Sequence, residues 1–244
     1  MTPPLFLVAE LSADIGDTLI LGGDEGRHAA RVKRLAVGET VLVGDGRGEL
    51  AECRVTALRP DSLTLELTSR RTVPQPSPAL VLVQALPKGE RAELAVELAT
   101  ELGVDEILPW SASRSIVRWD GPRAAKAIER WQRVAREAAK QSRRAWVPEV
   151  AAVATTAQVA ARIASSAALV LHEDAVQPLA SLAVPDAGEL LIVVGPEGGI
   201  APDELAAFVA AGALPVRLGD PVLRTSTAGA AALAALSLRL GRWS

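Results

Sequence analysis

The chain has 244 residues, of which 49% are hydrophobic and 23% charged, and its formal net charge is −3. These values are typical of a globular protein with one large domain or two ordinary ones. The single cysteine, Cys53, excludes an internal disulfide framework and a multi-cysteine metal site, so we expect no metal. The N-terminal segment has neither a basic region nor a long apolar run. We therefore expect no signal peptide or membrane span and predict a cytoplasmic location.

The first part of the chain predicts a small β-domain. Strand-like runs occupy 18–21, 40–44, 49–58 and 62–67, with turn signals at 45–48 and 59–61 and a helix-like insert at 24–35. Short strands joined by hairpin turns favour a small β-barrel. A proline-rich stretch with Pro74, Pro76 and Pro78 follows and marks a boundary. We assign 1–72 to the barrel, 73–78 to a linker and 79–244 to a second domain.

From residue 79 onward, strand-like and helix-like runs alternate. Strands are predicted at 79–86, 104–110, 168–174, 189–195 and 214–219, and helices at 90–102, about 123–144, 156–165, from Pro202 onward, and about 227–240. Alternation of this kind predicts an α/β domain with a mostly parallel sheet.

The charge is distributed unevenly along the chain. From Arg114 to Arg144 there are ten basic and three acidic residues, a local charge of +7, which leaves −10 for the remainder. A positive stretch on an otherwise acidic protein indicates a surface that meets a polyanion.

A glycine loop, GPEGG at 195–199, joins a buried strand to the helix that begins at Pro202. Loops of this kind let backbone amides approach a ligand closely, but neither the phosphate-loop nor the dinucleotide-binding pattern is present. Glu197 would repel a pyrophosphate, which favours a ligand that lacks phosphate and carries positive charge. A plain structural turn is the alternative explanation.

Two other predicted strand ends are unusual in composition. His172, Glu173 and Asp174 follow one strand, and a loop at 219–227 follows another. Ligands of open parallel sheets bind at the carboxyl ends of the strands, so a single shared pocket is the simplest hypothesis. The alanine-rich run at 228–235 allows a helix to pack closely against a neighbouring backbone, although an ordinary core helix would have the same composition.

The ordered set KGERAELAVELATELGVDEILPW, REAAKQSRRAWVPEV, LHEDA, VVGPEGGI and LGDPVLRTSTA resembles the RsmE family, the 16S rRNA uridine-N3 methyltransferases of the SPOUT superfamily. RHAARVKRLAVGE and GDGRGE are similar to that family's PUA-like β-barrel, so the likeness covers nearly the whole chain. The resemblance implies a SPOUT-type α/β domain with a deep trefoil knot and S-adenosylmethionine as the cofactor. It also implies a homodimer that methylates 16S rRNA in the small ribosomal subunit.

The resemblance also implies functional residues around the glycine loop. The expected cofactor-binding residues are His172, Gly195, Pro196, Glu197, Gly198, Leu218, Gly219, Leu223 and Thr227, and the expected catalytic residues are Arg224, Thr225 and Ser226. Arg224 would stabilise a uracil anion or orient the base, unless it forms a structural salt bridge.

The sequence departs from the family pattern at two positions. Ser226 stands where many relatives carry an acidic residue in RTETA, so water, a phosphate or another acid such as Glu197 would have to take the proton. Leu98 stands where a lysine of a QKATELG pattern is expected.

The predicted RNA contacts are Arg27, His28, Arg31, Arg34, Lys88, Arg114, Arg130, Arg133, Lys140 and Arg144. On the predicted long helix, Arg123, Lys126, Arg130, Arg133, Lys140 and Arg144 share one stripe, and Ile128, Trp131, Ala135 and Ala138 face the core. The stripe is interpreted as phosphate contacts, with a merely solvated basic face as the alternative.

Three other functions remain open from the sequence. The same fold could methylate a ribose 2′-hydroxyl or a tRNA base, or could serve as a non-catalytic RNA-binding or assembly factor. A nucleotide-dependent oxidoreductase is a third possibility, which the absence of a dinucleotide-binding pattern disfavours.

Overall fold

The computed structural model describes residues 2–89 and 91–243. Residues 1, 90 and 244 lie outside this description. Residue 90 belongs to a predicted helix, and residues 1 and 244 are the end residues of the two predicted domains. Contacts between residues divide the chain into two compact units, one made of 1–75 with 139–147 and the other of 76–138 with 148–244. The sequence does not indicate that 139–147 packs with the first unit.

The first unit contains a five-stranded sheet. Its strands are β1 (Leu5–Leu7), β2 (Thr18–Leu21), β3 (Thr40–Gly44), β4 (Glu49–Arg59) and β5 (Ser62–Thr72), in the order β1-β3-β4-β5-β2. Only the β1–β3 pairing is parallel. The structure confirms the four predicted strands and adds β1, whose three residues are too few to show an alternating pattern.

Alternating side chains of this sheet form the core of the first unit. Cys53 and Val55 on β4 pack with Leu63 and Leu65 on β5, and all four are fully buried. Burial raises the pKa of the Cys53 thiol to about 11. The thiol is therefore neutral at physiological pH and acts as a small apolar core group.

A helical segment after β2 differs from the predicted single helix. It consists of α1 (Gly23–Arg27) followed by a π-helix (His28–Val32) in which the Lys33 amide donates to the His28 carbonyl at 2.9 Å. The wider turn of a π-helix is rare and is often associated with functional sites.

The second unit is built on a six-stranded parallel sheet. Its strands are β6 (Ala79–Ala85), β7 (Glu106–Trp110), β8 (Glu149–Val150), β9 (Ala167–Leu171), β10 (Glu189–Val194) and β11 (Leu214–Val216), in the order β11-β9-β10-β6-β7-β8. The predicted parallel α/β sheet is confirmed. β10 inserts between β9 and β6, so the chain changes direction across the sheet at this point, where parallel sheets commonly bind ligands.

Helices cover both faces of this sheet. They are α2 (Arg91–Glu101), α3 (Pro122–Gln141), α4 (Thr156–Ile163), α5 (Pro202–Ala210) and α6 (Thr225–Arg239), with a short 3₁₀ helix at Leu179–Ser181. α3 ends at Gln141, before the predicted Arg144, and Arg143 beyond it adopts a left-handed backbone with φ 56°. None of the helices in the described part of the chain is long and apolar enough to cross a membrane.

The sheet separates two hydrophobic layers. Leu80 and Leu82 of β6 face one layer, with Trp131 of α3 and Leu233 of α6, and the alternate β6 residues face a second layer with α4 and α5. Each fully buried aliphatic side chain contributes about 2 kcal/mol of transfer free energy. Continuous apolar runs in the central strands follow from this burial on both faces.

An ion-pair cluster joins the amino ends of two strands. Arg162 of α4 donates to both carboxylate oxygens of Glu106 at the start of β7, at 2.5 and 2.7 Å, and to Glu189 at the start of β10, at 2.8 and 3.0 Å. The hydrogen bonds to Glu106 and Glu189 raise the pKa of Arg162, and those from Arg162 lower the pKa of Glu189. The cluster lies at the end of the sheet opposite to the carboxyl ends of the strands.

Candidate functional site at the carboxyl ends of the strands

A cavity of about 440 Å³ lies at the carboxyl ends of β9 and β10. Its walls come from the residues after β9, the glycine loop after β10 and the first turn of α6. A smaller cavity of about 80 Å³ shares His172, Glu173 and Leu223 with it and extends along 216–223. The three strand ends that the sequence singled out therefore do border one shared cleft.

The glycine loop turns too tightly to carry side chains at some positions. A Cβ atom on Gly195 would lie 2.6 Å from Cγ1 of Ile200, and Gly199 has a left-handed φ of 74°. A Cβ atom on Gly198 would lie 3.4 Å from Cβ of Arg114, which is ordinary van der Waals contact. The glycines thus expose backbone groups to the cleft.

Glu197 lies at the tip of the glycine loop and lines the cavity. Its Oε1 accepts a 3.1 Å hydrogen bond from the Lys88 backbone amide, beyond the carboxyl end of β6. Glu173 supplies a second carboxylate to the same cavity. Arg91 and Arg224 line the cavity as well, so its walls carry two carboxylates and two guanidiniums, which suits a ligand that carries both positive and negative charge.

The first turn of α6 is attached directly to the glycine loop. The Thr225 hydroxyl donates a 3.1 Å hydrogen bond to the Gly195 carbonyl, and Thr225 is buried. Arg224 caps this helix, and its carbonyl accepts from the amides of Thr227 and Ala228, both at 2.9 Å.

The Arg224 side chain is exposed and lines the cavity. Among the described residues, its guanidinium has no hydrogen-bond or ion-pair partner, so the alternative role as a structural salt bridge has no support there. This cation is free to meet an anion that enters the cleft.

His172 follows β9 and is fixed through its backbone. Its amide donates to the Val216 carbonyl at 3.0 Å, and its Nδ1 accepts from the Asp174 amide at 3.2 Å. These bonds hold the ring in place between the two cavities that it lines.

A buried carboxylate, Glu204, joins three segments behind the glycine loop: the turn at Ser113, the start of α4 and Ala201. It accepts from the Ser113 amide at 2.8 Å and hydroxyl at 3.0 Å, from the Thr156 hydroxyl at 2.9 Å and from the Ala201 amide at 3.3 Å. Glu204 is 5% exposed, so these donors replace water around its charge. Neighbouring Arg114 donates to the Gly198 carbonyl at 3.2 Å, which joins the 113–114 turn to the glycine loop from a second side.

Comparison with known proteins identifies the family of the chain. A family model described as the RNA methyltransferase domain matches residues 74–237, and one described as the RNA methyltransferase PUA domain matches 21–68. A protein of Mycobacterium bovis called ribosomal RNA small subunit methyltransferase E is 49% identical over 100% of this chain and 94% of its own length. The chain belongs to the ribosomal RNA small subunit methyltransferase E family.

Two further members support this assignment. The Bacillus subtilis protein of the same name is 32% identical over 90% of each chain. A crystal structure of a family member from Neisseria gonorrhoeae bound to S-adenosyl methionine has a TM-score of 0.88, 29% identity and full coverage of both chains. The fold is therefore the family's SPOUT-type domain with a PUA-like domain, while the trefoil knot stays a prediction.

Most of the predicted cofactor residues lie together in the cleft. His172, Gly195, Pro196, Glu197, Leu218, Gly219 and Leu223 line one or both cavities. Gly198 and Thr227 line neither, and Gly198 instead packs against Arg114. Thr227 turns its hydroxyl back to the Arg224 carbonyl at 3.2 Å.

The predicted catalytic residues separate into two groups. Arg224 and Thr225 line the larger cavity, whereas Ser226 is buried and lines neither cavity. The expected catalytic role of Ser226 therefore has no support from the lining of the cleft.

Several residues that line the larger cavity were not predicted from the sequence. Most are apolar or lie outside the quoted strand ends: Arg91, Leu171, Val194, Ile200, Val222 and Ala228. Glu204 was missed as well, because an acid in the first turn of a helix looks like an ordinary helix-start residue. Its partners Ser113 and Thr156 are distant in sequence, so no local pattern joins them.

The basic stripe on α3 is shorter than predicted. Arg123, Lys126, Arg130 and Arg133 are exposed, and Trp131, Ala135 and Ala138 are buried as expected. Arg130 pairs with Glu93, and Arg133 donates weakly to the Glu129 carbonyl at 3.4 Å.

Lys140 and Arg144 do not continue this stripe. Lys140 is 6% exposed and its ammonium lies 2.9 Å from Glu25 in the first unit, which corrects its predicted role as a surface phosphate contact. Arg144 lies beyond the end of α3 and is half-buried. Helical spacing could not reveal this, because the chain from 139 to 147 packs with the first unit.

The predicted RNA contacts of the first unit are mostly exposed. Arg27 pairs with Asp24, and Arg31 lies 2.6 Å from Asp61, so both charges are partly neutralised. Arg34 is exposed, and His28 is half-buried with its ring edge-on to Phe6 at 6.2 Å. In the second unit, Lys88 and Arg114 are exposed beside the glycine loop.

Proposed function

We propose that this protein transfers a methyl group from S-adenosylmethionine to N3 of a uridine in the decoding region of 16S rRNA in the small ribosomal subunit. The observation that carries the proposal is the strand-end cleft, in which the carboxylates of Glu173 and Glu197 and the guanidiniums of Arg91 and Arg224 meet beside a glycine loop. Full-length likeness to ribosomal RNA small subunit methyltransferase E proteins supports the substrate assignment.

The chemistry of the cleft suits S-adenosylmethionine. The walls combine apolar side chains (Leu171, Val194, Ile200, Val222, Leu223 and Ala228) with the carboxylates of Glu173 and Glu197. Apolar walls accommodate a flat adenine ring, and the carboxylates favour the positive charges of the ligand. The volumes of about 440 and 80 Å³ fall in the range of ordinary small-molecule sites.

We assign the binding role to the three loops at the strand ends. Backbone groups of 195–199 and 218–223, together with His172, would hold the ligand, which supplies an electrophilic methyl group. Thr225 keeps the glycine loop against the first turn of α6. Glu204 fixes the Ser113 turn behind the loop, so that Arg114 remains against Gly198.

We assign to Arg224 the stabilisation of the uracil anion. Uracil N3 is protonated at neutral pH, so methylation at N3 requires loss of that proton. A guanidinium near the base favours the anionic form and allows the proton to leave to solvent water. Arg224 is suited to this role because its side chain lines the cleft and is unpaired among the described residues.

We assign substrate positioning to the exposed cations. Arg123, Lys126 and Arg133 on α3, with Lys88 and Arg114 near the cleft, would contact phosphates and hold the RNA without reading its sequence. We also propose a homodimer, which sedimentation of the purified protein would test.

Substrate class is tested by methyl transfer from tritiated S-adenosylmethionine. Small subunits from a strain that lacks this gene, large subunits and bulk tRNA serve as parallel acceptors. We expect label in the small-subunit RNA alone. Label in tRNA or in the large subunit would assign the same fold to another RNA, and cofactor binding without any transfer would indicate a non-catalytic RNA-binding factor.

A further inference from the structure

The first unit contains a cavity of about 540 Å³, larger than either cavity of the cleft. It is bordered by the N-terminal segment 2–6, the π-helix with the residues after it, the start of β3, and residues 140–143. All of these belong to the first unit. We propose that this cavity binds one unpaired nucleotide of the RNA substrate, an inference that rests on the proposed function.

Unusual backbone features surround this cavity. Arg34 and Arg143, with φ of 53° and 56°, are the two non-glycine residues of the described chain that have left-handed backbones. Arg143 lines the cavity, and Arg34 lies between the lining residues Lys33 and Leu35. The π-helix begins at another lining residue, His28. Strained or rare backbone persists where the surrounding structure holds it, and such positions are concentrated at binding sites.

One wall of the cavity is suited to a base. Pro3, Pro4 and Leu35 form a partly exposed apolar surface, with the buried Leu5 and Phe6 behind it. The half-buried His28 ring stands edge-on to Phe6, with an interplanar angle of 88°, so its orientation is fixed by a ring contact. Flat aromatic and apolar surfaces are what proteins offer to unstacked RNA bases.

Other lining groups are suited to a phosphate. Lys33 is exposed, and its ammonium has no partner among the described residues. Arg143 donates to the carbonyls of Pro3 at 2.9 Å and Thr2 at 3.3 Å, which leaves its charge without a counter-ion in these contacts. Glu39 is the one acidic side chain among the lining residues. The cavity is therefore positive overall, as a nucleoside phosphate requires.

The positive charge continues outside the cavity. Arg34 is exposed next to Lys33 and has no partner among the described residues. A cation beyond the rim favours a ligand that extends past the cavity, so a nucleotide within a chain fits better than a free mononucleotide.

Substitution of Lys33 tests the proposal through steady-state methylation of small subunits. We expect Lys33→Glu to raise KM for the subunits about tenfold, with kcat within about twofold of the wild type and cofactor affinity unchanged. Lys33→Arg should restore the wild-type KM. Arg59→Glu, an equal charge change at an exposed position that does not line the cavity, is the control and should alter KM less than about twofold. Equal effects of Lys33→Glu and Arg59→Glu would overturn the proposal.

Crosslinking locates the nucleotide independently of kinetics. Small-subunit RNA substituted with 4-thiouridine is irradiated with the protein, and crosslinked peptides are mapped. Crosslinks within 2–6 or 28–35 are expected, and crosslinks confined to other segments would contradict the inference. A free nucleotide would offer the same chemistry as a nucleotide in RNA, and calorimetric titration with uridine monophosphate tests this alternative. If the protein binds uridine monophosphate tightly, and if His28→Ala abolishes this binding but leaves the crosslinks to RNA intact, the cavity is a site for a free nucleotide.

The two proposals can fail separately. If the wild-type protein methylates no RNA, the proposed function fails. If it methylates small subunits and Lys33→Glu leaves KM unchanged, only the nucleotide cavity is refuted.

Discussion

The Thr225 hydroxyl donates a 3.1 Å hydrogen bond to the Gly195 carbonyl and so joins the first turn of α6 to the glycine loop. The bond bridges two segments that are 30 positions apart in the sequence. Because both segments border the same cavity, this contact determines the shape of the cleft as well as the stability of the unit.

Thr225→Val removes this bond and keeps the shape of the side chain. We expect S-adenosylmethionine affinity to fall about fivefold to tenfold and the free energy of unfolding to fall by about 1 kcal/mol. Ser237→Ala is the matched control, because Ser237 donates to the Leu102 carbonyl at 3.3 Å near the far end of the same helix. Calorimetric titration and denaturant unfolding measure both quantities. If Ser237→Ala lowers the affinity as much as Thr225→Val does, the Thr225 hydrogen bond has no specific role in cofactor binding and only stabilises the unit.

Arg224→Ala separates chemistry from cofactor binding. We expect kcat to fall about 100-fold, as for the loss of one transition-state donor, while the cofactor Kd changes less than about threefold. Arg224→Lys should recover part of kcat, because a positive charge remains without the planar fork of the guanidinium. Single-turnover kinetics with calorimetry provide the measurement. Equal losses of kcat and affinity would make Arg224 a structural residue.

Glu204→Gln tests the network behind the glycine loop. A carboxylate accepts all four hydrogen bonds, whereas the NH₂ group of a glutamine would face the backbone amide of either Ser113 or Ala201, which can only donate. We expect a loss of about 2 kcal/mol in the free energy of unfolding and weaker cofactor binding. The control is Glu97→Gln at an exposed position on α2, which should change neither. Wild-type stability and affinity in Glu204→Gln would show that the network does not hold the loop.

The exposed cations of α3 make a prediction about salt. Arg123→Glu together with Arg133→Glu should weaken RNA binding and reduce the slope of log affinity against log salt by about one per lost phosphate contact. Cofactor affinity should not change. Binding titrations at several salt concentrations measure the slope, with Arg54→Glu together with Arg59→Glu, at two exposed positions of β4, as the charge-matched control. An unchanged slope would mean that the stripe is an ordinary solvated face.

The Arg162 cluster predicts a pH dependence of stability. Because Arg162 lowers the pKa of Glu189 in the folded state, the ionised carboxylate stabilises the fold above its ordinary pKa, and this contribution is lost as the pH falls through the lowered value. Glu189 is partly exposed, so we expect about 1 kcal/mol or less. The difference in unfolding free energy between wild type and Glu189→Gln should be largest at pH 7 and shrink below about pH 4. A difference that is constant with pH would contradict the assignment.

The sequence allowed prediction of features that depend on local patterns. Apolar strand-like runs that alternate with helix-like runs predicted the parallel sheet, and the glycine loop with its polar neighbours predicted the position of the cleft. Features that depend on contacts between residues far apart in the sequence could not be predicted. The partners of Glu204 lie 91 and 48 positions away in the sequence. Lys140 has the same helical spacing as the exposed cations of α3, yet it is buried against Glu25. The π-helix has no sequence signal, because its residues fit an ordinary helix equally well.

The most direct measurement is the identity of the methylated nucleoside. Small subunits from a strain that lacks this gene are incubated with the protein and S-adenosylmethionine, the RNA is digested, and the nucleosides are resolved by liquid chromatography and mass spectrometry. The cleft with Arg224 beside the glycine loop predicts N3-methyluridine, which the Arg224→Ala variant should produce far more slowly. A 2′-O-methylated nucleoside, or no methylated nucleoside while the cofactor is bound, would contradict it.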